Sequence, residues 1–230
     1  MELFSDVIIV TGVVLQLALL VLLALGPLRR YFLIFAYCLA QTAQIVVDAW
    51  VLRQFGQTSR EYRIAFWTDA IVVDTLLFLL VVALTYRAME ENPLRGKMTR
   101  MLIVLSIIIF SLPFVVLSGP LSYTRWLNGA EQILNFGAAI MNLGLWTALL
   151  GSKKRDPQLL TITAGLGVRV AAVAVMLGLR NFTAEGGNAR EIADIAARLS
   201  FIGGTLIWCW AFRPGQVQRS PAPALKTSGN

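Results

Sequence analysis

The sequence predicts an all-α integral membrane protein built as a bundle of seven transmembrane helices. Of its 230 residues, 57% are hydrophobic and only 14% are charged, and the mean hydropathy is +0.69. A water-soluble domain of this size has too little interior to bury so much apolar surface. Apolar segments of about 20 residues recur along the chain, which is the length that a hydrocarbon core of roughly 30 Å requires.

Seven such segments follow one another, separated by short loops in which proline and glycine recur. They lie near residues 5–26, 31–52, 66–87, 99–118, 127–150, 158–180 and 191–212. Residues 1–212 are therefore expected to form one transmembrane domain. The stretch 213–230 is rich in Pro, Ser and Ala, and we expect it to be a disordered cytoplasmic tail.

The basic residues are distributed unevenly between the two sides of the predicted bundle. One alternating set of loops holds twelve of them, which are Arg29, Arg30, Arg87, Arg95, Lys97, Arg100, Lys153, Lys154, Arg155, Arg213, Arg219 and Lys226. The other set holds six, which are Arg53, Arg60, Arg63, Arg125, Arg180 and Arg190. Because cytoplasmic loops carry the excess of Lys and Arg, we expect the N-terminus outside and the C-terminus in the cytoplasm of a bacterial inner (plasma) membrane.

Aromatic residues near the segment ends agree with these borders, because amphipathic rings prefer the membrane interface. Those at the predicted outer ends are Trp50, Trp67 and Trp126. Those at the predicted inner ends are Tyr31, Tyr86, Trp208 and Trp210.

The composition also excludes several classes of protein. Histidine is absent, which removes the commonest ligand of haem, copper and zinc and the usual general base. Both cysteines, Cys38 and Cys209, fall inside predicted spans, so no disulfide framework is indicated. We therefore expect no enzyme, no metal and no cofactor.

Two further classes are excluded by the positions of the positive charges. The net charge of +7 comes from residues in short loops beside apolar runs, so it indicates topology rather than nucleic-acid binding. A retinal Schiff base requires a lysine inside a span. The lysines, Lys97, Lys153, Lys154 and Lys226, all lie in loops or the tail, which excludes a retinal pigment.

Polar residues within two spans recur at helical spacing and so define faces. In the second span these residues are Tyr37, Gln41, Gln44 and Asp48, and in the fifth they are Glu131, Asn135 and Asn142. The opposite face of the fifth span carries a glycine every seven residues, at Gly137, Gly144 and Gly151. Small residues let a neighbouring helix approach closely. We therefore expect this span to pack on its glycine face.

The first and fourth spans are almost wholly apolar, with Gln16 as the main exception. These two spans are therefore expected to meet lipid more than the others do. In the seventh span, Asp194 and Arg198 lie one turn apart and can form an ion pair.

Arg169 lies near the middle of the apolar run LTITAGLGVRVAAVAVMLGL. A charge at that depth is expensive and usually marks a site inside the bundle. Asp74 and Glu131 are the expected partners of its guanidinium. With the N-terminus outside, the other buried charges fall in the outer half of the membrane. We therefore expect an outward-facing polar cavity floored by Arg169. The candidate ligand-binding residues are Arg169, Asp74, Glu131, Asn135, Arg198 and Asp48.

Two functional hypotheses and one structural alternative fit these residues. The first is a non-enzymatic sensor or binding module for a small polar or anionic ligand, which would act on a cytoplasmic partner protein. This architecture resembles the seven-helix input modules of bacterial membrane receptors. The second is a small transporter or ion-coupled carrier that uses the intramembrane carboxylates. Alternatively, the polar stripes serve as interhelical hydrogen bonds and the Asp194–Arg198 pair as a structural ion pair.

Overall fold

The structure, a computed structural model, describes residues 2–26, 28–56, 59–88, 95–117, 123–151, 156–182 and 188–213. These residues form α1 (Glu2–Leu25), α2 (Phe32–Phe55), α3 (Arg60–Ala88), α4 (Arg95–Val116), α5 (Tyr123–Gly151), α6 (Pro157–Phe182) and α7 (Asn188–Ala211). Each of the predicted apolar segments coincides with one helix. The expected tail, 213–230, lies outside the described residues apart from Arg213.

Four of the helices are long and apolar enough to cross a membrane. The qualifying stretches are Phe32–Phe55, Arg60–Ala88, Thr99–Val116 and Pro157–Met176. Two shorter apolar helical stretches, Val10–Leu25 and Ile195–Ala211, lie in α1 and α7. The fold is therefore that of a helical protein with several helices able to span a bilayer.

Local sequence signals set several helix ends. Pro157 occupies the first position of α6, where its missing N–H costs nothing. The Asp156 carboxylate accepts hydrogen bonds from the backbone N–H of Gln158 (2.9 Å) and of Leu159 (3.1 Å), which caps the helix. At the end of α2, Gly56 adopts a positive φ of 78° and donates its N–H to the carbonyl of Leu52, a backbone conformation that glycine adopts most easily.

Six of the helices form a closed ring, and one packs on its outside. Around the ring, the contacts run from α1 to α2, α3, α5, α6 and α7, and α7 returns to α1. The α4 helix packs against α5 and, more lightly, against α3. The centre of the ring is filled by side chains from all six helices, so α3 and α6 also touch across it.

The outer surfaces of α1 and α4 are apolar, as the sequence predicted. The exposed large apolar residues of α1 are Val7, Val10, Val14, Leu17, Val21 and Leu25. Those of α4 are Met101, Ile103, Val104, Ile107, Ile108, Phe110, Phe114, Val115 and Val116. Soluble monomers rarely expose contiguous apolar patches of this extent. This surface therefore suits the hydrocarbon of a membrane.

The polar faces of α2 and α5 point into the ring. On α2, Tyr37 is buried and Gln41 and Asp48 are partly buried, whereas the apolar Val46 next to them is 63% exposed. On α5, Asn135 and Asn142 are both buried. On these two helices the polar side chains therefore face the interior of the ring, where they lie among the apolar residues of the core.

The closest helix contact joins α6 to α7 through a reciprocal pair of glycines. A Cβ on Gly165 would lie 2.6 Å from Cδ1 of Trp208 and 2.9 Å from the carbonyl oxygen of Gly204. A Cβ on Gly204 would lie 2.5 Å from Cγ of Arg169 and 2.8 Å from the carbonyl oxygen of Gly165. Each glycine therefore receives a large side chain of the other helix, and the two backbones nearly touch, as small residues permit in membranes.

The expected glycine face of α5 is only partly a packing face. Gly137 packs on α4, since a Cβ there would lie 2.5 Å from Cγ2 of Ile109. Gly144 is exposed and has nothing within 4 Å of a Cβ position, so the expectation of packing is wrong at this position. The physical reason is that α4 meets α5 on only part of its length, near Gly129 and Gly137. The side-chain surroundings of Gly151 lie outside what the structure describes.

Gly165 is in close contact with α7 whereas Gly144 is exposed, so substitutions at the two positions should have opposite effects on stability. Gly165→Ala should lower the free energy of unfolding by about 1–3 kcal/mol, because the added methyl overpacks the contact with Trp208 and the Gly204 carbonyl. Gly144→Ala is the matched control and should leave stability unchanged or raise it by up to about 1 kcal/mol through helix propensity. Thermal unfolding in one detergent measures both. Equal melting temperatures for the two variants would contradict the close α6–α7 contact.

Candidate functional site

Arg169 lies twelve residues after the start of α6 and is only 4% exposed. Its guanidinium is surrounded by three aromatic rings. The Cζ atom lies 4.2 Å from the ring centroid of Phe201, 4.9 Å from that of Trp208 and 5.1 Å from that of Tyr37. Such cation–π contacts contribute about 0.5–2 kcal/mol each, depending on how far the cation is desolvated. The rings therefore replace part of the hydration that the charge loses.

We call these rings, from Phe201, Trp208 and Tyr37, the aromatic cage. Two glutamines form a hydrogen-bonded network beside it. Nη2 of Arg169 donates a hydrogen bond to Oε1 of Gln41. The same oxygen accepts a hydrogen bond from Nε2 of Gln16 at 3.2 Å, and Nε2 of Gln16 also donates to the carbonyl of Cys38 at 3.0 Å. Gln16 is 1% exposed. One network thus connects α1, α2 and α6 in the centre of the ring.

The rings of the cage are held in place by their own contacts. Nε1 of Trp208 donates a hydrogen bond to the carbonyl of Ile162 at 2.8 Å, and its ring meets that of Tyr37 edge-on at 6.0 Å between centroids. Trp208 is fully buried. The expectation that Trp208 marks a membrane interface is therefore wrong, because the glycine at position 165 makes room for the indole inside the bundle.

The carboxylates expected to pair with Arg169 interact with each other across α3 and α5. Asp74 of α3 interacts electrostatically with Glu131 and by a hydrogen bond with Asn135, both on α5. Nδ2 of Asn135 also donates to the backbone carbonyl of Glu131 at 3.0 Å. Tyr37 interacts electrostatically with both Arg169 and Asp74, so its side chain is within electrostatic range of both clusters.

The contacts shown for Arg169 are therefore with an amide and three rings rather than with Asp74 or Glu131. The reason lies in the order of the helices. Asp74 faces α5, which is the neighbour of α3 in the ring, whereas α3 and α6 touch only lightly across the centre. In addition, a helical side chain leans toward the N-terminus of its helix. The guanidinium of Arg169 is thereby directed toward Trp208 and Tyr37, which lie near the end of the bundle where α6 begins.

Several buried polar atoms in the two clusters have no hydrogen-bond partner. They are Nη1 of Arg169, Oε1 of Gln16, Oδ2 of Asp74 and Oδ1 of both Asn135 and Asn142. An unsatisfied buried polar atom costs about 1–3 kcal/mol, so such atoms usually mark a water, an ion or a ligand. The interior therefore has hydrogen-bonding capacity that the described contacts do not use.

The end of the bundle where α6 begins is closed by a third set of contacts. The hydroxyl of Tyr31 donates to Oε1 of Gln158 at 3.2 Å, and Nε2 of Gln158 donates to the carbonyl of Ala211 at 3.3 Å. The ring of Phe212 packs edge-on against Tyr31, with 5.1 Å between centroids. Tyr31, Gln158, Ala211 and Phe212 are all buried. The Arg169 network is therefore sealed from this end.

The remaining candidate residues lie apart from both clusters. Asp48 of α2 interacts electrostatically with Asp69 of α3, toward the opposite end of the bundle, and each has one buried carboxylate oxygen without a hydrogen-bond partner. Arg198 is exposed on α7. The side chain of Asp194 lies outside what the structure describes, so the predicted ion pair stays a prediction.

The structure thus divides the six candidate residues. Asp74, Glu131 and Asn135 interact with one another, Arg169 lies in the aromatic cage, Asp48 interacts with Asp69, and Arg198 is exposed on α7. The sequence does not predict most of the cage, because its pattern identifies Gln41 and Tyr37 only as members of a polar stripe. The isolated polar Gln16 in α1 was a usable signal. Phe201 gave none, since nothing distinguishes it from a lipid-facing residue.

No known protein family, curated protein or solved structure matches this chain. Its function is therefore argued from the geometry of the two clusters.

Proposed function

We propose that all seven helices span a bacterial inner (plasma) membrane, with the N-terminus outside and the C-terminus in the cytoplasm. The proposal is supported by the four span-capable helices, by the apolar outer surfaces of α1 and α4, and by the twelve-to-six distribution of basic residues. In this orientation the sealed end of the bundle faces the cytoplasm. The Arg169 network is then approached from outside.

Cysteine labelling in intact bacterial cells tests this orientation. In a background with Cys38→Ala and Cys209→Ala, the variants are Gln54→Cys, exposed at the end of α2, and Lys97→Cys, exposed at the start of α4. A membrane-impermeant maleimide should label position 54 in intact cells and position 97 only after lysis. The reverse pattern would contradict the orientation, and labelling of both positions in intact cells would contradict the span between them.

Within this bundle, the function we propose is a non-enzymatic sensor or binding module for a small polar or anionic ligand. The single observation that carries it is Nη1 of Arg169, a buried cationic donor without a partner. A guanidinium stays charged at any physiological pH, so its unused donor favours a ligand with a carboxylate, phosphate or similar acceptor group.

In this proposal, the α6–α7 contact transmits ligand binding at Arg169 to the partner protein. The stem of Arg169 rests on Gly204, and Trp208 rests on Gly165. A ligand that draws the guanidinium away from Trp208 would change the contact that positions α7. That helix leads into the predicted cytoplasmic tail, where a partner protein would sense its movement. The protein would then have two arrangements, with the guanidinium beside Trp208 or drawn away from it. The ligand shifts the population toward the second arrangement only as far as it binds that arrangement more tightly than the first.

A small transporter is the second candidate function. The observation that favours it is the electrostatic interaction between the Asp74 and Glu131 carboxylates of α3 and α5. Uptake of a solute into proteoliposomes would favour the transporter. Ligand-dependent association with a cytoplasmic protein, without uptake, would favour the sensor.

A thermal-shift experiment on purified protein tests the binding site. Acetate, succinate and inorganic phosphate are compared at constant sodium concentration and ionic strength. At least one should raise the melting temperature saturably by about 2 °C or more, because a ligand that binds only the folded state stabilises it. Arg169→Met should abolish the rise. Arg53→Gln, which removes an exposed arginine of α2, is the control and should keep it.

A response that survives Arg169→Met, or that disappears in Arg53→Gln, would contradict Arg169 as the ligand-binding residue. The absence of a response to any of the three anions would contradict the anionic ligand class.

A further inference from the structure

Two unsatisfied polar atoms of opposite kind belong to the network that connects α1, α2 and α6. Nη1 of Arg169 is a donor and Oε1 of Gln16 is an acceptor, and both are buried without a hydrogen-bond partner. Arg169 is 4% exposed and Gln16 is 1% exposed, so bulk water does not reach either atom. Each atom therefore requires a partner of the opposite hydrogen-bonding kind.

The amide of Gln16 is oriented by two hydrogen bonds. Its Nε2 donates to the backbone carbonyl of Cys38 at 3.0 Å and to Oε1 of Gln41 at 3.2 Å. A backbone carbonyl only accepts, so exchanging the nitrogen and oxygen of Gln16 would place two acceptors against each other. The unsatisfied atom of Gln16 is therefore the amide oxygen, and the partner it requires is a donor.

The two unsatisfied atoms belong to groups that meet on a single oxygen. Nη2 of Arg169 and Nε2 of Gln16 both donate to Oε1 of Gln41. Nη1 lies in the same planar guanidinium as Nη2, and Oε1 of Gln16 lies in the same planar amide as Nε2. One acceptor atom thus separates the guanidinium from the amide. A small molecule with an acceptor and a donor on neighbouring carbons suits both atoms.

The ring of Phe201 forms an apolar wall beside this network. Its centroid lies 4.2 Å from Cζ of Arg169. A Cβ on Gly12, one turn before Gln16 on α1, would lie 3.5 Å from Cε1 of the same ring. The ring therefore packs near both helices that carry the unsatisfied atoms. An apolar wall beside a few polar groups favours a ligand that has a short aliphatic part.

The charge of the site distinguishes between the possible donors of the ligand. The described contacts of Arg169 are with neutral groups, which are one amide and three rings. A carboxylate on Nη1 would neutralise the permanent charge of the guanidinium. An ammonium group on Gln16 would restore a net positive charge in the interior, where charges interact strongly. A hydroxyl group donates a hydrogen bond without adding charge.

We propose that this network binds a small hydroxycarboxylic acid. The carboxylate accepts from Nη1 of Arg169, the hydroxyl donates to Oε1 of Gln16, and the aliphatic part lies beside Phe201. This inference rests on the function proposed above and deepens it, because it names the chemical class of the ligand at Arg169. Lactate is the simplest probe with all three features.

The experiment compares lactate with propionate by thermal unfolding of the full chain, with both sodium salts titrated at constant ionic strength. The two acids have the same carbon skeleton and differ by one hydroxyl group. Propionate leaves Oε1 of Gln16 unsatisfied. We therefore expect lactate to reach its half-maximal rise in melting temperature at about a tenfold lower concentration. Lactamide, which lacks the carboxylate, and alanine, which replaces the hydroxyl by an ammonium, should both bind more weakly than lactate.

A matched pair of variants assigns this preference to Gln16. Gln16→Met removes the acceptor and should make lactate and propionate bind equally. Gln54→Met makes the same substitution at an exposed position of α2 and should keep the preference for lactate. A cooperative transition without ligand shows that each variant is folded. The comparisons between ligands use the wild-type protein, so they decide the ligand class even if Gln16→Met does not fold.

The outcomes separate this inference from the function on which it rests. Equal binding of lactate and propionate by the wild-type protein would overturn the hydroxycarboxylic acid and leave an anion site at Arg169. Tighter binding of alanine than of lactate would overturn it as well, and so would a preference for lactate that survives in Gln16→Met. The absence of a response to both acids would overturn the binding site at Arg169 together with this inference.

Discussion

The constraint on which the structure depends is the burial of one guanidinium in an apolar helical bundle. Arg169 cannot give up its proton, and moving such a charge out of water is costly. The surrounding helices replace the lost hydration with two kinds of group. Phe201, Trp208 and Tyr37 offer ring faces, and Gln41 offers an amide oxygen. Each of these groups fixes the position of the helix that carries it.

Burial of the guanidinium also requires small residues where α6 and α7 meet. The Trp208 ring reaches the guanidinium only if α7 lies almost in contact with α6, and the stem of Arg169 needs space on the facing helix. Gly165 and Gly204 supply these spaces reciprocally. The same contact surrounds the Arg169 charge and joins the two helices. A displacement of the Arg169 side chain would therefore alter the packing of α7. The proposed sensing role relies on this connection.

The separation of the two clusters is the second organising feature. Tyr37 interacts electrostatically with Arg169 of a cationic cluster, built on α1, α2, α6 and α7, and with Asp74 of an acidic cluster, built on α3 and α5. A direct Arg169–Asp74 ion pair would neutralise both charges and leave little for a ligand. Instead, Nη1 of Arg169 and Oδ2 of Asp74 are both buried without a hydrogen-bond partner.

Much of the fold could be predicted from the sequence, because apolar length and polar periodicity determine where helices lie and which faces point inward. The stripe of Tyr37 and Gln41 and the outward surface of α4 are examples. The partners of Arg169 could not be predicted in this way, since they depend on which helices are neighbours and on the lean of each side chain toward its helix N-terminus. The burial of Trp208 also depends on which helices are neighbours, so its position near a segment end indicates a membrane interface instead. The expectation that Gly144 packs against another helix was wrong, because glycine spacing in the sequence does not show over what length a neighbouring helix stays in contact.

The central claim is that Arg169 is kept for binding rather than for holding the bundle together. The most direct test is the melting temperature of Arg169→Met in the absence of added ligand, compared with wild type in the same detergent. Methionine keeps an unbranched stem on Gly204 and removes the buried charge, while Oε1 of Gln41 retains the hydrogen bond from Gln16. Since a buried charge is often not stabilising against an apolar replacement, the account predicts an equal or higher melting temperature. A loss of several degrees would contradict it and would make Arg169 a structural residue.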